Sequence, residues 1–534
     1  MSGSHPPVFF MGLVRTAPSS FLLILDFRPE LPYAGLPFIQ KPASMRAKIP
    51  FFILPLFFSI AFSQVAPPAP YGPLPSERQL RWHERDMYVL VHFTPTTFEN
   101  KEWGYGDADP AIFNPTDFDA SQIVSAAKAG GFRGLILVAK HHDGFALWPT
   151  STTSYNISRS PWRQGKGDMV REFGDACRSA GLGFGVYCSP WDRNHPEYGK
   201  SAYVDAYRQQ LRELYTGYGP LFMSWHDGAN GGDGYYGGAR ESRKIDRTTY
   251  YGWDSTWAMT RRMQPMACIF SDVGWDVRWV GNERGEAAET SWATYTPTPL
   301  EGRKAAGPGE VRDELNPAGT RNGRHWMPAE CDVPLRKGWF YHPEQDNTVK
   351  TPEQLFELYL KSVGRGAALD IGIAPDKRGR LHENDVASLA AFGKILEETF
   401  RTDLATTATF KASNTRGGRS DLYGTRYLTD GDRYTHWATD DAVRTPVLEL
   451  AWKSPVTFDL VRLREDIRLG QRIDSLELDA ELDGKWTSVG KATSIGACRI
   501  VRLAEPVTTK RLRIRITGSP VSVALGELGV FKRR

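Results

Sequence analysis

Two carboxylates in this chain stand where they could do chemistry. Asp227 closes the apolar run LFMSWHD (221–227), and the small residues Gly228-Ala229-Asn230-Gly231-Gly232 after it leave room for a ligand. Glu283 sits in RWVGNERG (278–285), close behind Arg278. Two carboxyl groups flanking an acetal C–O bond can hydrolyse it, one protonating the departing oxygen and the other attacking the carbon or activating water. Taken singly, an Asp before Gly is also a common turn former, and a Glu in a loop is usually solvated surface.

The other reactive side chains also terminate apolar runs. His92 ends MYVLVHF (87–93), His141-His142 follows RGLILVAK (133–140), Tyr187 ends GFGVYCS (183–189), and Trp225 precedes His226 and Asp227. Neighbouring side chains on a strand face opposite ways, so His141 and His142 could share an ion only at a bulge or strand end. The H-x-H spacing of amidohydrolase metal sites is absent. Hydrogen bonding to neutral hydroxyl groups suits the pair better, with packing or capping as the plain alternative, and neither a metal nor another cofactor is expected.

Elements to position these groups are readable. From about residue 80 to 400, short β-rich runs alternate with stretches of helical period, the pattern of an α/β fold with a parallel sheet. ACIFSD (267–272) and ALDIGIA (368–374) add two strands to the four above, and DASQIVSAAKAGG, GDMVREFGDACRSAG and SAYVDAYRQQLRELYTGYG read as helices. No G-x-G-x-x-G follows the first strand, so a (β/α)8-like TIM barrel fits better than a dinucleotide-binding sheet, and in such a barrel the reacting groups sit at the C-terminal ends of strands. Some barrel strands have no clear signature. After the helical stretch ENDVASLAAFGKILEETF the chain turns to VLELAW, FDLVRLRE, DSLELDAELDG, RIVRL, KRLRIRI and ELGVFK, an all-β sandwich expected over 401–534. LTDGDRYTHWAT (428–439) resembles discoidin-like (F5/8 type C) and carbohydrate-binding modules, and bracing of the barrel is the favoured role.

Residues 45–63, MRAKIPFFILPLFFSIAFS, have the basic start, short apolar stretch and small cleavage residues of a signal peptide. Residues 1–44 before it read as an over-extended start, and 64–79 as a proline-rich lead-in. Export to a periplasmic or extracellular space follows, with no membrane span expected in the mature protein. The 534 residues are enough for two or three domains. A net charge of +4 from 66 basic and 62 acidic residues, spread along the chain, gives no reason to expect nucleic acid as partner. Five widely spaced cysteines in apolar runs read as buried free thiols.

The ordered motifs VHF (91–93), EWGYG (102–106), FNPTDFDASQIVSAAKAGGFRGLILVAKHHDGF (113–145), SPWDRNHPEYG (189–199), SWHDGAN (224–230) and DVRWVGNERG (276–285) resemble glycoside hydrolase family 29, the α-L-fucosidases. The resemblance covers roughly 75–400. It implies a metal-free retaining exo-enzyme, with Asp227 as nucleophile and Glu283 as acid/base. It also implies that His92, Glu102, Trp103, His141, His142, Tyr187, Trp225 and Arg278 line a fucose pocket, with a fucosylated glycan as substrate. The segment around Gly281-Asn282-Glu283 resembles the branch that prefers α-1,3 and α-1,4 linkages. Two features depart from the family pattern: His226 stands where an aromatic such as Phe is usual, and LDIGIAPD (369–376) replaces an Asn-containing LLLNIPPD form. A sugar-binding barrel without activity and a barrel metal hydrolase are the rival readings.

Overall fold

The computed structural model describes residues 65–270, 276–299, 301–304, 306–307 and 316–533. The expected signal peptide and the residues before it lie outside these. Eight parallel strands build the catalytic half: β1 (Met87–Val91), β2 (Gly134–Lys140), β3 (Gly183–Cys188), β4 (Met223–Trp225), β5 (Cys268–Phe270), β6 (Arg278–Trp279), β7 (Ala329–Pro334) and β8 (Ala368–Ile373). They pair in the order β5-β4-β3-β2-β1-β8-β7-β6, and a single parallel bridge between Phe270 and Val277 joins the two end strands into a ring. This is the expected TIM-like barrel. The two strands without a sequence signature are β6, which is two residues long, and β7, whose AECDVP carries two acids and a proline where an apolar run would be diagnostic.

Helices wrap the ring, and those over 120–129, 169–180, 201–217 and 383–400 stand where the periodicity put them. Helix α1 (Glu77–His83) straddles the expected start of the barrel at residue 80, and α2 (Ala120–Ala129), α3 (Met169–Ala180) and α4 (Ser201–Gly217) follow. Asp119 and Asp168 cap α2 and α3 by accepting from the amides of Gln122 and Arg171, and Gly181 ends α3 at φ 74, a left-handed conformation that suits glycine. Farther on come α5 (Trp253–Met263), α6 (Pro352–Lys361) and α7 (Glu383–Phe400). All five cysteines are free and buried, as their apolar settings implied.

Beyond α7 the chain forms a seven-stranded antiparallel sheet with its own buried cluster around Trp437, Phe458 and Leu512. Its longest members are β11 (Val447–Glu465) and β14 (Arg499–Gly518), with β9 (Thr409–Ala412), β10 (Trp437–Ala438), β12 (Ser475–Leu482), β13 (Lys485–Thr493) and β15 (Ala524–Phe531) around them. VLELAW and FDLVRLRE, expected as two strands, are one long strand with register shifts, and so are RIVRL and KRLRIRI. Such irregularities let one strand bend across both layers of a sandwich. Gln64–Arg534 form one compact unit, so barrel and sandwich are packed as a single body.

Candidate active site

The C-terminal ends of the strands converge on a cavity of about 230 Å³. Asp227, two residues past β4, is held at both oxygens: the Ala229 amide donates to Oδ1 at 2.7 Å and the Tyr187 hydroxyl to Oδ2 at 2.9 Å. Burial raises its pKa from the ordinary carboxylate value, and those two hydrogen bonds oppose the rise. Glu283 faces the same cavity from the loop after β6. Burial raises its pKa too, as does the charge of Asp227, while a hydrogen bond with the Trp339 side chain pulls it down.

Four strand ends supply five residues of the wall. His92 follows β1, His141 and His142 follow β2, Tyr187 lies in β3 and Trp225 in β4, and all five line the cavity. His141 and His142 both reach it because the strand has ended and their rings lie 4.2 Å apart on one side, which answers the alternation argument. His142 is fixed by its partners. Ser189 Oγ donates to the Trp191 carbonyl at 2.7 Å, so it can only accept from His142 Nδ1 at 2.8 Å. That assignment leaves Nε2, 3.8 Å from Asp227 Oδ2, with its lone pair facing the cavity side. Burial pushes the His142 pKa down to about 3 and those of His92 and His141 well below the usual value, so all three rings are neutral. Trp225 stacks on Phe270 at 4.2 Å and donates to Glu330 at 2.8 Å. Trp103 stands at the mouth, 49% exposed, against His142 and Trp191.

Deeper groups hold these in place. Asp143, buried, accepts from the hydroxyls of Thr94 and Thr96 at 2.7 and 3.0 Å and so ties the end of β2 to the turn after β1. Lys140, fully buried, pairs with Asp192 at 3.1 Å and with Tyr203 and Gln210 of α4, anchoring the loop that carries Trp191.

Two of the expected pocket residues stand elsewhere. Glu102 binds the backbone of the 339–340 segment and His342 Nε2 at 3.0 Å, which makes it a clamp on the loop bearing Trp339. Arg278 is buried in β6, donates to the carbonyls of Trp279 and Pro317, and lies over the Tyr295 ring. Neither borders the cavity. Conversely, Leu90, Phe270, Trp279, Asp332 and Trp339 line it and were not among the expected pocket residues: the first three lie inside segments already read as strands or motifs, Asp332 interrupts the apolar pattern of β7, and Trp339 lies in an irregular loop. Trp279 donates to Asp332 at 2.7 Å.

His226 is turned away from the cavity. Fully buried, it bonds Tyr207 of α4 at 2.7 Å and Ser224 at 3.0 Å, and burial keeps it neutral with a pKa down to about 3. The imidazole at this position thus bonds a hydroxyl of the helix packed behind β4. The LDIGIAPD change likewise falls in β8, where Asp370 points among other acids rather than toward a ligand.

A parallel eight-stranded barrel with two carboxyls facing one cavity at the strand ends fits a barrel glycoside hydrolase. The chain belongs to the α-L-fucosidase family: that family's model matches residues 69–399, and an F5/8 type C domain model matches 409–527. Alpha-L-fucosidase 1 of Arabidopsis thaliana is 36% identical over 499 residues, 91% of this chain and 94% of that protein. Among solved structures, a glycoside hydrolase 29 family member from an unknown rumen bacterium is 41% identical with a TM-score of 0.76, covering 87% of this chain and 78% of that one. A Ruminococcus gnavus family 29 fucosidase, solved with fucose, is 28% identical with a TM-score of 0.78 over 88% of this chain and 97% of that one.

Proposed function

We propose that the protein is an exported, retaining exo-α-L-fucosidase that removes terminal α-linked L-fucose from glycans, with α-1,3 and α-1,4 branches as preferred substrates. The observation that carries the mechanism is the shared cavity: Asp227 and Glu283 face one space of about 230 Å³, below the roughly 300–1,000 Å³ of pockets for drug-sized ligands. A single sugar ring suits it. Asp227, oriented by Tyr187 and the Ala229 amide, attacks the anomeric carbon as the glycosidic C–O bond breaks. Glu283 gives its proton to the leaving oxygen. Water then attacks the fucosyl-enzyme ester, Glu283 takes its proton, and Asp227 is released.

The neutral imidazoles of His92, His141 and His142 suit the sugar hydroxyls. His92 and His141 each have a buried Nδ1 without a hydrogen-bond partner among the described residues. Trp225 and Phe270 offer apolar surface for the C5 methyl group of fucose, a contact worth about 1–3 kcal/mol in discrimination. Support for the linkage preference comes from the Gly281-Asn282-Glu283 segment, and for export from residues 45–63.

The decisive experiment follows hydrolysis of an aryl α-L-fucoside by NMR. The first-formed fucose should be the α anomer, and Asp227→Ala should lower kcat by at least about 10⁴-fold without loss of fold. Release of the β anomer, or near-normal turnover by the variant, would remove the double displacement.

A further inference from the structure

Glu283 rides on a long loop between β6 and β7, so something must hold that loop. Its near half is tied to the barrel: Asn282 bridges to the Glu286 carbonyl at 3.0 Å and the Arg284 amide at 3.0 Å. Glu286 pairs with Lys361 of α6 at 2.7 Å, and the Ala287 amide donates to the Lys361 carbonyl at 2.9 Å. The far half is tied to the sandwich. Arg499, at the start of β14, donates to the Glu289 carbonyl at 2.5 Å and pairs with the Glu289 carboxylate. Thr290 and Thr493 share a hydroxyl contact at 2.8 Å, and the Ser291 amide donates to Ser494 Oγ at 3.0 Å. Gln471 uses both ends of its amide, accepting from the Ala293 amide at 2.9 Å and donating to the Ser291 carbonyl at 3.1 Å.

These sandwich groups are specific rather than incidental surface. Gln471 and Arg499 are each 3% exposed, and Ser291, Trp292 and Ala293 are buried with them. A buried side-chain amide with both ends bonded to backbone fixes that backbone in one place, because any displacement leaves buried polar groups unpaired. Glu283 is exposed, as are Arg284 and Glu289, and the anchors that tie the loop down follow it in the chain, from residue 286 to residue 293.

We propose that the sandwich is a positioning element of the hydrolytic centre: through Gln471, Ser494 and Arg499 it fixes residues 289–293 and so sets the place of Glu283. The inference rests on the reading of Glu283 as acid/base. A proton donor displaced by about 1 Å can cost on the order of 10²-fold in rate, and the cost falls on substrates that need the proton.

The test uses the full chain with Gln471→Ala, Arg499→Met and the milder Ser494→Ala, and compares kcat on an activated aryl α-L-fucoside with kcat on an unactivated fucosyl disaccharide. The ratio of the two rates is independent of how much of a preparation is folded. Gln471→Ala and Arg499→Met should lower turnover of the disaccharide at least about tenfold more than that of the aryl fucoside. Ser494→Ala should shift the ratio less in the same direction, and Arg499→Lys should recover part of it. An unchanged ratio in all of them overturns the proposal. Glu283→Ala, run beside them, separates the two claims. A leaving-group effect there without one in Gln471→Ala sinks the positioning role alone, whereas no leaving-group effect in Glu283→Ala removes the acid/base assignment and the positioning role with it.

Discussion

Neutral histidines give the cavity wall its character. Burial is the first cause at His92, His141, His142 and His226, and none carries charge near neutrality. The pH dependence of turnover therefore belongs to the carboxyls. In the proposed double displacement Asp227 acts ionised and Glu283 protonated, so kcat/KM should rise as pH rises through the elevated pKa of Asp227 and fall as pH rises through that of Glu283. A bell-shaped profile is expected, and Glu283→Ala should erase its alkaline limb on an activated substrate. An alkaline limb unmoved in that variant would assign it to another group. Asp227, His92, His141, His142, Tyr187 and Trp225 were legible because each closes an apolar run. Trp339 and Asp332 were not, since one lies in an irregular loop and the other interrupts the apolar pattern that marks a strand.

At the level of single elements, β7 and β8 are unusual. Register sets Asp332 beside Asp370, and Glu330 lies two residues before Asp332 on the same strand. All three are buried, and none forms an ion pair among the described residues. Glu330 is bonded by Tyr88 and Trp225, but both oxygens of Asp370 lack a hydrogen-bond partner. Burial raises all three pKa values, that of Glu330 to about 7; Glu330 raises Asp332 and Asp370 further, and Asp332 raises Asp370. The folded state thus binds more protons than the unfolded chain, whose carboxyls titrate near about 4. Stability from these groups is full below that value and is lost as pH rises toward and through about 7. Asp370→Leu should raise stability at pH 8 by about 1–3 kcal/mol and flatten the fall of Tm between pH 5 and 8. Thermal melts across that range check it, and a lower Tm at pH 8 would show that the acid is needed where it stands. The two-residue length of β6 and the acids and proline of β7 explain why these two of the eight strands escaped the sequence pattern, which finds strands by their apolar runs.

Across the whole molecule, the change from α/β to all-β pattern expected near residue 400 falls where α7 ends at Phe400 and the antiparallel strands follow. What the pattern could not carry is how the parts join, because those contacts are polar and far apart in sequence. Asp86, at the entry to β1, is held by Arg433 at 2.7 Å and Arg464 at 3.3 Å from the sandwich. The lead-in is strapped to the same domain. Tyr423 donates to the Val65 carbonyl at 2.9 Å, Arg416 to Ala66 at 2.6 Å, Arg472 to Ala69 at 2.8 Å, and the Tyr71 amide to the Leu469 carbonyl at 3.0 Å. A chain beginning at residue 73 should lose about 2–4 kcal/mol, since buried Arg416 and Arg472 would each lose a partner. Equal denaturation midpoints for the two chain lengths would show the strap to be idle.

That strap also orders events in time. Val65 and Ala69 meet partners 358 and 403 residues later in the chain, and a ribosome adds roughly 5–20 residues per second. Residues 65–71 therefore wait tens of seconds for the groups that receive them. The contacts that strap them down can close only when the last domain has been synthesised.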